Sequence, residues 1–177
     1  MPVLVLNILI QKLQKEAEGF EYEAAEASFD LIIRQAIGKY SPLFQLKNYH
    51  LESFKAGTTD SKTVGRIFMD VGPHDTMGAA VGTGPVETLD HALRDAVLPH
   101  CPSLNQVELV DYRVRVLDPE SHAAAKVRVF ITSTDGNENW NTVGVHENIV
   151  EASFQALVDS LEYFYNTSVL GKDRATT

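Results

Sequence analysis

The sequence contains little of several features that define common classes of protein. Among 177 residues it has one cysteine, one tryptophan and only 15 lysines and arginines against 24 aspartates and glutamates. The single Cys101 excludes an internal disulfide. The net charge of −9 argues against general nucleic-acid binding, which needs clustered cations to neutralise phosphates. We therefore expect no nucleic acid as a partner.

Long apolar segments are also missing. The apolar runs, such as Val3–Leu6, are far shorter than the roughly 20 residues that span a bilayer, and the first residues do not form a secretory signal. We expect a cytoplasmic protein without membrane contact, large enough to bury a core of its own.

Signatures of catalysis are equally sparse. The six histidines show no HxH, HxxxH or HExxH spacing, so the sequence predicts no metal site. Cys101 follows His100, but adjacent side chains rarely point at each other, and a loop thiol is the simpler interpretation. No acid and base pair stands out, so we expect no enzymatic activity from this chain.

The first 41 residues have helical periodicity. Apolar residues recur at helical spacing from Val3 to Leu13, and Gly19 and Gly38 offer stops for two successive helices. The glutamates of this region are typical of a solvated acidic face: Glu16, Glu18, Glu21, Glu23 and Glu26.

Ser41-Pro42 marks a change to β-type alternation. We expect a helical linker subdomain over 1–41, a main domain over 42–166 and a disordered tail over 167–177. Five segments of the main domain alternate like strands, namely 44–54, 63–71, 109–117, 125–133 and 141–145.

Two helices interrupt these strands. The first begins at Pro85 behind Gly84 and runs to about Leu98, and the second begins at Ile149 behind the capping residue Asn148 and runs to about Tyr165. In the second helix, Ala152, Ser153, Ala156 and Ser160 form a stripe of small residues that suits a core or an interface.

The main domain contains an internal repeat with an offset of 64 residues. The identical pairs are Lys62/Lys126, Ile67/Ile131, Gly72/Gly136, Val81/Val145, Val86/Val150, Glu87/Glu151, Ala92/Ala156, Leu93/Leu157 and Asp95/Asp159. Each copy is too small to bury its own sheet and helix. The sequence therefore predicts an α+β domain built from a pseudo-symmetric pair of β-β-β-α units.

Two features could hold an anion. The turn Gly82-Thr83-Gly84 places free amides at the start of a helix, where the helix dipole favours a carboxylate or a phosphate. A second candidate is a group of basic residues on two strands that the repeat makes neighbours: Arg113, Arg115, Lys126 and Arg128. They could form an anion site, a charged outer face or a subunit contact.

Four segments together resemble the C-terminal regulatory domain of the 2-isopropylmalate synthase and citramalate synthase family over about residues 42–166. They are GTGPVETLDHAL, LVDYRVRVLD, AAAKVRVFITSTDG and WNTVGVHENIVEASFQALVDSLEYF. The preceding GFEYEAAEAS is similar to the linker subdomain of that family. TVGVHENIVEASFQALVDSLEY is more similar to the citramalate synthase branch than to the leucine-regulated branch.

The resemblance implies a parent enzyme that condenses acetyl-CoA with pyruvate in a metal-dependent catalytic barrel and is inhibited by isoleucine. Neither the barrel's HxH nor its acidic catalytic motif occurs in these residues, so the divalent metal is expected only in that absent barrel. This chain itself is expected to need no cofactor.

The resemblance also implies that the effector binds where two regulatory domains meet in a homodimer. Carried over by motif, the effector-binding residues are Gly82, Gly84, Val86, Leu109, Tyr112, Val116, Ala125, Val145 and Glu147. The apolar members suit a branched side chain, and the amides of Gly84 and Val86 suit a carboxylate. Two alternatives remain open: a leucine-binding domain of a 2-isopropylmalate synthase, and a dimerisation module without a ligand.

Overall fold

A computed structural model of the chain describes residues 2–117 and 125–171. Its helices are α1 (Pro2–Glu18), α2 (Glu26–Ala36), α3 (Pro85–Val97) and α4 (Ile149–Phe164). Its strands are β1 (Gln45–Phe54), β2 (Lys62–Val71), β3 (His74–Gly82), β4 (Glu108–Val116), β5 (Val127–Thr134) and β6 (Asn139–His146). One 3₁₀ turn, Tyr22–Ala24, precedes α2, another, Pro102–Gln106, precedes β4, and a π-helical turn, Tyr165–Val169, follows α4.

The predicted tail lies only partly within this description. Residues 172–177 fall outside the described residues, whereas 167–171 continue the helical backbone that follows α4.

The chain divides into two compact units. Unit 1 consists of Met1–Ser41 and Gln106–Thr177, and unit 2 of Pro42–Asn105. Each unit contains one antiparallel sheet of three strands in sequence order, followed by one helix: β1-β2-β3 with α3, and β4-β5-β6 with α4. The predicted α+β class and the pair of β-β-β-α units are confirmed.

The two sheets repeat each other in detail. Their second hairpins turn at Gly72 and Gly136, whose φ angles of 57° and 86° suit glycine. The first strand of each sheet has a register shift near its start. It lies between Leu46 and Asn48 in β1 and between Leu109 and Asp111 in β4. Beyond it, Tyr49 lies opposite Ile67 as Tyr112 lies opposite Ile131, so the two tyrosines hold the same place in the repeat.

The helix starts follow the predicted capping residues. Asn148 accepts a hydrogen bond from the Val150 amide at 2.8 Å, which satisfies one of the free amides at the start of α4. In α3, Gly84 has no side chain for this task.

The repeat, rather than periodicity, indicated β3, because Gly78 and Ala79 interrupt its apolar pattern.

In unit 1, α4 covers one face of the sheet. Gly144 permits this close contact, since a Cβ at that position would lie 1.9 Å from the carbonyl oxygen of Ala152. All four members of the predicted small-residue stripe are buried. Ser160 accepts from the indole of Trp140 at 3.1 Å and donates to Ser133 at 2.6 Å, so the stripe belongs to the core of unit 1.

Residues 19–36, called here the N-terminal segment, pack against the opposite face of the same sheet and along the edge of β6. Tyr22 and Ala25 form a buried cluster with Phe130, Val143 and Val145 of the sheet. The N-terminal segment is therefore an integral part of the core of unit 1.

Two glutamates of the predicted acidic face hold this segment in place instead of facing only solvent. Glu21 forms an ion pair with Arg128, whose guanidinium also donates to the carbonyl oxygen of Gly19. Glu26 accepts from the backbone amide of Asn141 at 2.9 Å. Sequence reasoning missed these contacts because their partners lie more than a hundred positions away along the chain.

Candidate functional site

The candidate residues of β4 form a row on the face of the sheet that α4 covers. Leu109 lies opposite Ser133, Tyr112 opposite Ile131 and Val116 opposite Val127. Strict alternation would put Leu109 on the other face from Tyr112, but the register shift between Leu109 and Asp111 brings Leu109 into this row.

This row is only half covered. The Tyr112 hydroxyl lies 2.8 Å from the Ser153 hydroxyl of α4, while Leu109 is 39% exposed and Val116 54% exposed. The strand is at the edge of its sheet. A row of large apolar side chains at a sheet edge is a surface that suits a ligand or a second protein chain.

Val145 does not lie in this row. The pairing of Val145 with Arg128 places it on the opposite face of the sheet, 7% exposed and packed in the cluster around Tyr22. Its backbone amide donates to the side chain of Gln155 at 3.0 Å. The structure thus separates Val145 from Tyr112 and Val116.

Glu147 shares a different surface with Val145. Both line an open cavity of about 430 Å³, whose walls also include Lys15, Glu18, Phe20, Lys126, His146 and Gln155. Ala125, the remaining candidate of unit 1, is 9% exposed and lies two residues before the start of β5.

The glycine turn lies in unit 2, where its amides face a carboxylate of the chain itself. Glu87 accepts from the amide of Thr83 at 2.8 Å and from its hydroxyl at 2.6 Å. These hydrogen bonds, with a contribution from the amide of Gly84, lower the pKa of Glu87. The Gly84 amide therefore already faces an anion, whereas α3 lacks the side-chain cap that Asn148 gives to α4.

Two of the four basic residues, Arg113 and Arg128, have partners within unit 1. Arg128 holds the N-terminal segment, and Arg113 pairs with Asp111 at 2.9 Å. Both guanidinium groups lie about 6 Å from the ring centre of Phe130. These contacts favour a structural role for Arg113 and Arg128 over an anion site.

The described residues contain no cluster of three or more histidine, cysteine, aspartate or glutamate side chains arranged for a metal ion. Cys101 is buried, and burial raises the pKa of its thiol, which disfavours the reactive thiolate. His100 stacks against His74 with ring centres 4.6 Å apart. Within the same part of the chain, no helix is long and apolar enough to cross a membrane.

Comparison with known proteins places these features in a family. The model of the LeuA allosteric (dimerisation) domain matches residues 23–165. The chain belongs to this family. The match covers both β-β-β-α units and most of the N-terminal segment but not α1.

Individual relatives of this LeuA-type domain are much longer proteins. The chain is 41% identical to an (R)-citramalate synthase of Geobacter sulfurreducens over 90% of its own length and 30% of the relative. A Synechocystis (R)-citramalate synthase is 38% identical over 89% of the chain and 29% of the relative. A 2-isopropylmalate synthase of Shewanella is 24% identical over 81% of the chain and 25% of the relative.

Sequence reasoning also missed two polar residues of this LeuA-type domain. Ser28, which is 3% exposed, donates to the carboxylate of Asp159 at 2.6 Å. The sequence did contain one indication of this contact, since Asp95 and Asp159 are identical in the repeat. An aspartate that lies on a core helix in both copies needs a hydrogen-bond donor there.

Proposed function

We propose that the chain is the effector-binding regulatory domain of a citramalate synthase and binds isoleucine. The observation that carries this proposal is the difference in identity: 32–41% to citramalate synthases but 24% to 2-isopropylmalate synthases. In the parent protein the bound amino acid would inhibit condensation of acetyl-CoA with pyruvate in a catalytic barrel.

The half-covered row on β4 supports an apolar effector. Leu109 and Val116 present aliphatic surface, and the ring of Tyr112 lies between them along the strand. A branched aliphatic side chain placed against this row would remove apolar area from water on both partners. The exposed row also suits association of two copies, since closed two-fold dimers are the commonest oligomers.

The assignments of Gly82, Gly84, Val86, Ala125, Val145 and Glu147 as effector-binding residues remain predictions. Of these, Val86 has support from the repeat. Its amide is the counterpart of the Val150 amide that Asn148 caps, and no side chain caps it in unit 2. The effector carboxylate is a suitable partner for such an amide.

The first test combines association and stability. Light scattering should give a dimer at micromolar concentration, and isoleucine should raise the melting temperature, because a ligand of the folded state stabilises it by mass action. A dimer that no branched-chain amino acid stabilises would support the dimerisation module instead. Release of CoA from acetyl-CoA and pyruvate by this chain would contradict its role as a regulatory domain.

A further inference from the structure

The repeat contains one contact that its two copies make differently. In unit 2, Asp95 of α3 accepts a hydrogen bond directly from the backbone amide of Ala79 at 3.0 Å. The counterparts in unit 1 are Asp159 and Val143. There the Val143 amide donates to Ser28 at 3.0 Å, and Ser28 in turn donates to Asp159 at 2.6 Å.

Ser28 therefore bridges an amide and a carboxylate whose counterparts in unit 2 bond to each other directly. If the N-terminal segment left the edge of β6, Asp159 could accept from Val143 directly, as Asp95 accepts from Ala79. Both arrangements satisfy the amide and the carboxylate. Unit 1 thus has two hydrogen-bonding states available, which is what a bistable element requires.

Buried residues such as Tyr22 and Ala25 pack the N-terminal segment onto unit 1, and a few polar contacts fix it along the edge of β6. Besides Ser28, Glu26 accepts from the Asn141 amide, and Gly19 and Glu21 accept from Arg128. Of these anchors, Ser28 is the one whose partner is a carboxylate within the core of unit 1.

Asp159 faces a cavity of about 220 Å³ beneath this segment. Lys15 of α1, Tyr22 of the 3₁₀ turn, Ser28 and Gln35 of α2, and Gln155 of α4 contribute the polar groups of its walls. Lys15 is the cation that acts on Asp159. The charge of Asp159 itself acts on Tyr22 and Tyr40, and Glu16 and Glu18 also act on Tyr22.

We propose that Ser28 and Asp159 form a latch that holds the N-terminal segment on the edge of β6 and weakens as Asp159 loses its proton. Burial raises the pKa of Asp159 to about 7, although Ser28 and Lys15 act in the opposite direction. Burial also raises the pKa of Tyr22, so its phenol remains neutral around pH 7.

The direction of the pH effect follows from linkage. Once the segment has left, water reaches Asp159 and its pKa returns toward the ordinary value near 3.9. The closed state therefore binds a proton that the open state releases. With respect to Asp159, closure is strongest below about pH 4 and weakens as the pH rises to about 7. Above that, Asp159 is ionised in both states and adds no further pH dependence.

Hydrogen exchange measures this opening directly. Exchange of peptides covering the N-terminal segment is followed by mass spectrometry at pH 6 and pH 8, with rates corrected for intrinsic exchange. We expect protection to fall about tenfold between these values. Peptides of α3 in unit 2 serve as the internal reference and should not share this fall.

Two matched variants separate the latch from general effects. Asp159→Asn keeps an oxygen that accepts from Ser28 but cannot ionise, so its protection should be independent of pH. Asp95→Asn makes the same change at the counterpart in unit 2 and should behave as wild type.

Three results would overturn the latch: no fall in wild type, the same fall in Asp159→Asn, or an equal fall in the α3 peptides. Should Asp159→Asn not fold, ¹³C NMR titration of the wild-type carboxyl decides, and a midpoint below pH 5 would contradict the proposal.

Discussion

The hydroxyl groups of Tyr112 and Ser153 lie 2.8 Å apart and join the edge strand β4 to helix α4. Ser153 donates to the carbonyl oxygen of Ile149 at 2.6 Å, so Tyr112 is the donor in the bond between the two. The hydroxyl of Tyr112 is thereby engaged within the chain, and its ring is the part available to an effector.

Tyr112→Phe should fold normally and lose about 0.5–1.5 kcal/mol of unfolding free energy, because one partly buried hydrogen bond is removed while the packing is kept. Its affinity for isoleucine should change little. Urea unfolding and calorimetry check the two expectations. Tyr49→Phe, which makes the same change at the matching position of unit 2, is the control for the affinity measurement. A large loss of affinity in Tyr112→Phe alone would show that the hydroxyl binds the effector.

Val116→Trp should abolish isoleucine binding without dissociating the dimer, since a bulky ring would occupy the space beside Tyr112. Val110→Trp is the matched control, because it places the same ring on the same strand at a residue that is not among the predicted effector-binding residues. Calorimetry and light scattering report binding and association. If a folded Val116→Trp protein binds isoleucine as wild type does, the effector site lies elsewhere.

Gly144→Ala should destabilise unit 1 by about 2 kcal/mol or more. The new Cβ would meet the backbone of α4 1.9 Å away, and helix and sheet must separate to admit it. Gly84→Ala is the control, because its Cβ meets nothing within 4 Å. Chemical denaturation should show a clear difference between the variants, and equal stability would contradict the close packing of α4 on β6.

The free energy of unfolding of wild type, measured relative to Asp159→Asn, should fall by about 1 kcal/mol between pH 6 and pH 8. The sign follows from the raised pKa of Asp159 in the folded state. An acid with a raised pKa favours the folded state at low pH, and this advantage is lost as the pH rises through the folded value. Parallel stability curves for the two proteins would contradict the assignment.

Much of the fold could be predicted because its determinants are local. Pro85 and Asn148 start their helices where capping chemistry requires, and the internal repeat indicated three strands before each helix. The rest depends on contacts between distant parts of the chain. No periodicity in residues 19–36 reveals that Ser28 will meet Asp159, 131 positions away.

The candidate site shows the same division. Alternation placed Tyr112 and Val116 on one face, as the structure does, but it could not detect the register shift that brings Leu109 onto the same face. The position of Val145 depends on how β6 pairs with β5. The spacing of residues within a single strand does not reveal how that strand pairs with its neighbour.

Calorimetric titration of the dimer with isoleucine, leucine, valine and pyruvate tests the central claim most directly. We expect isoleucine to bind and leucine to bind more weakly by about 1–3 kcal/mol, the usual effect of a misplaced methyl group in an apolar pocket. Pyruvate should not bind, because the row on β4 offers aliphatic surface that it cannot use. Tighter binding of leucine, or no binding of any branched-chain amino acid to a folded dimer, would contradict the assignment of the chain as an isoleucine-binding regulatory domain.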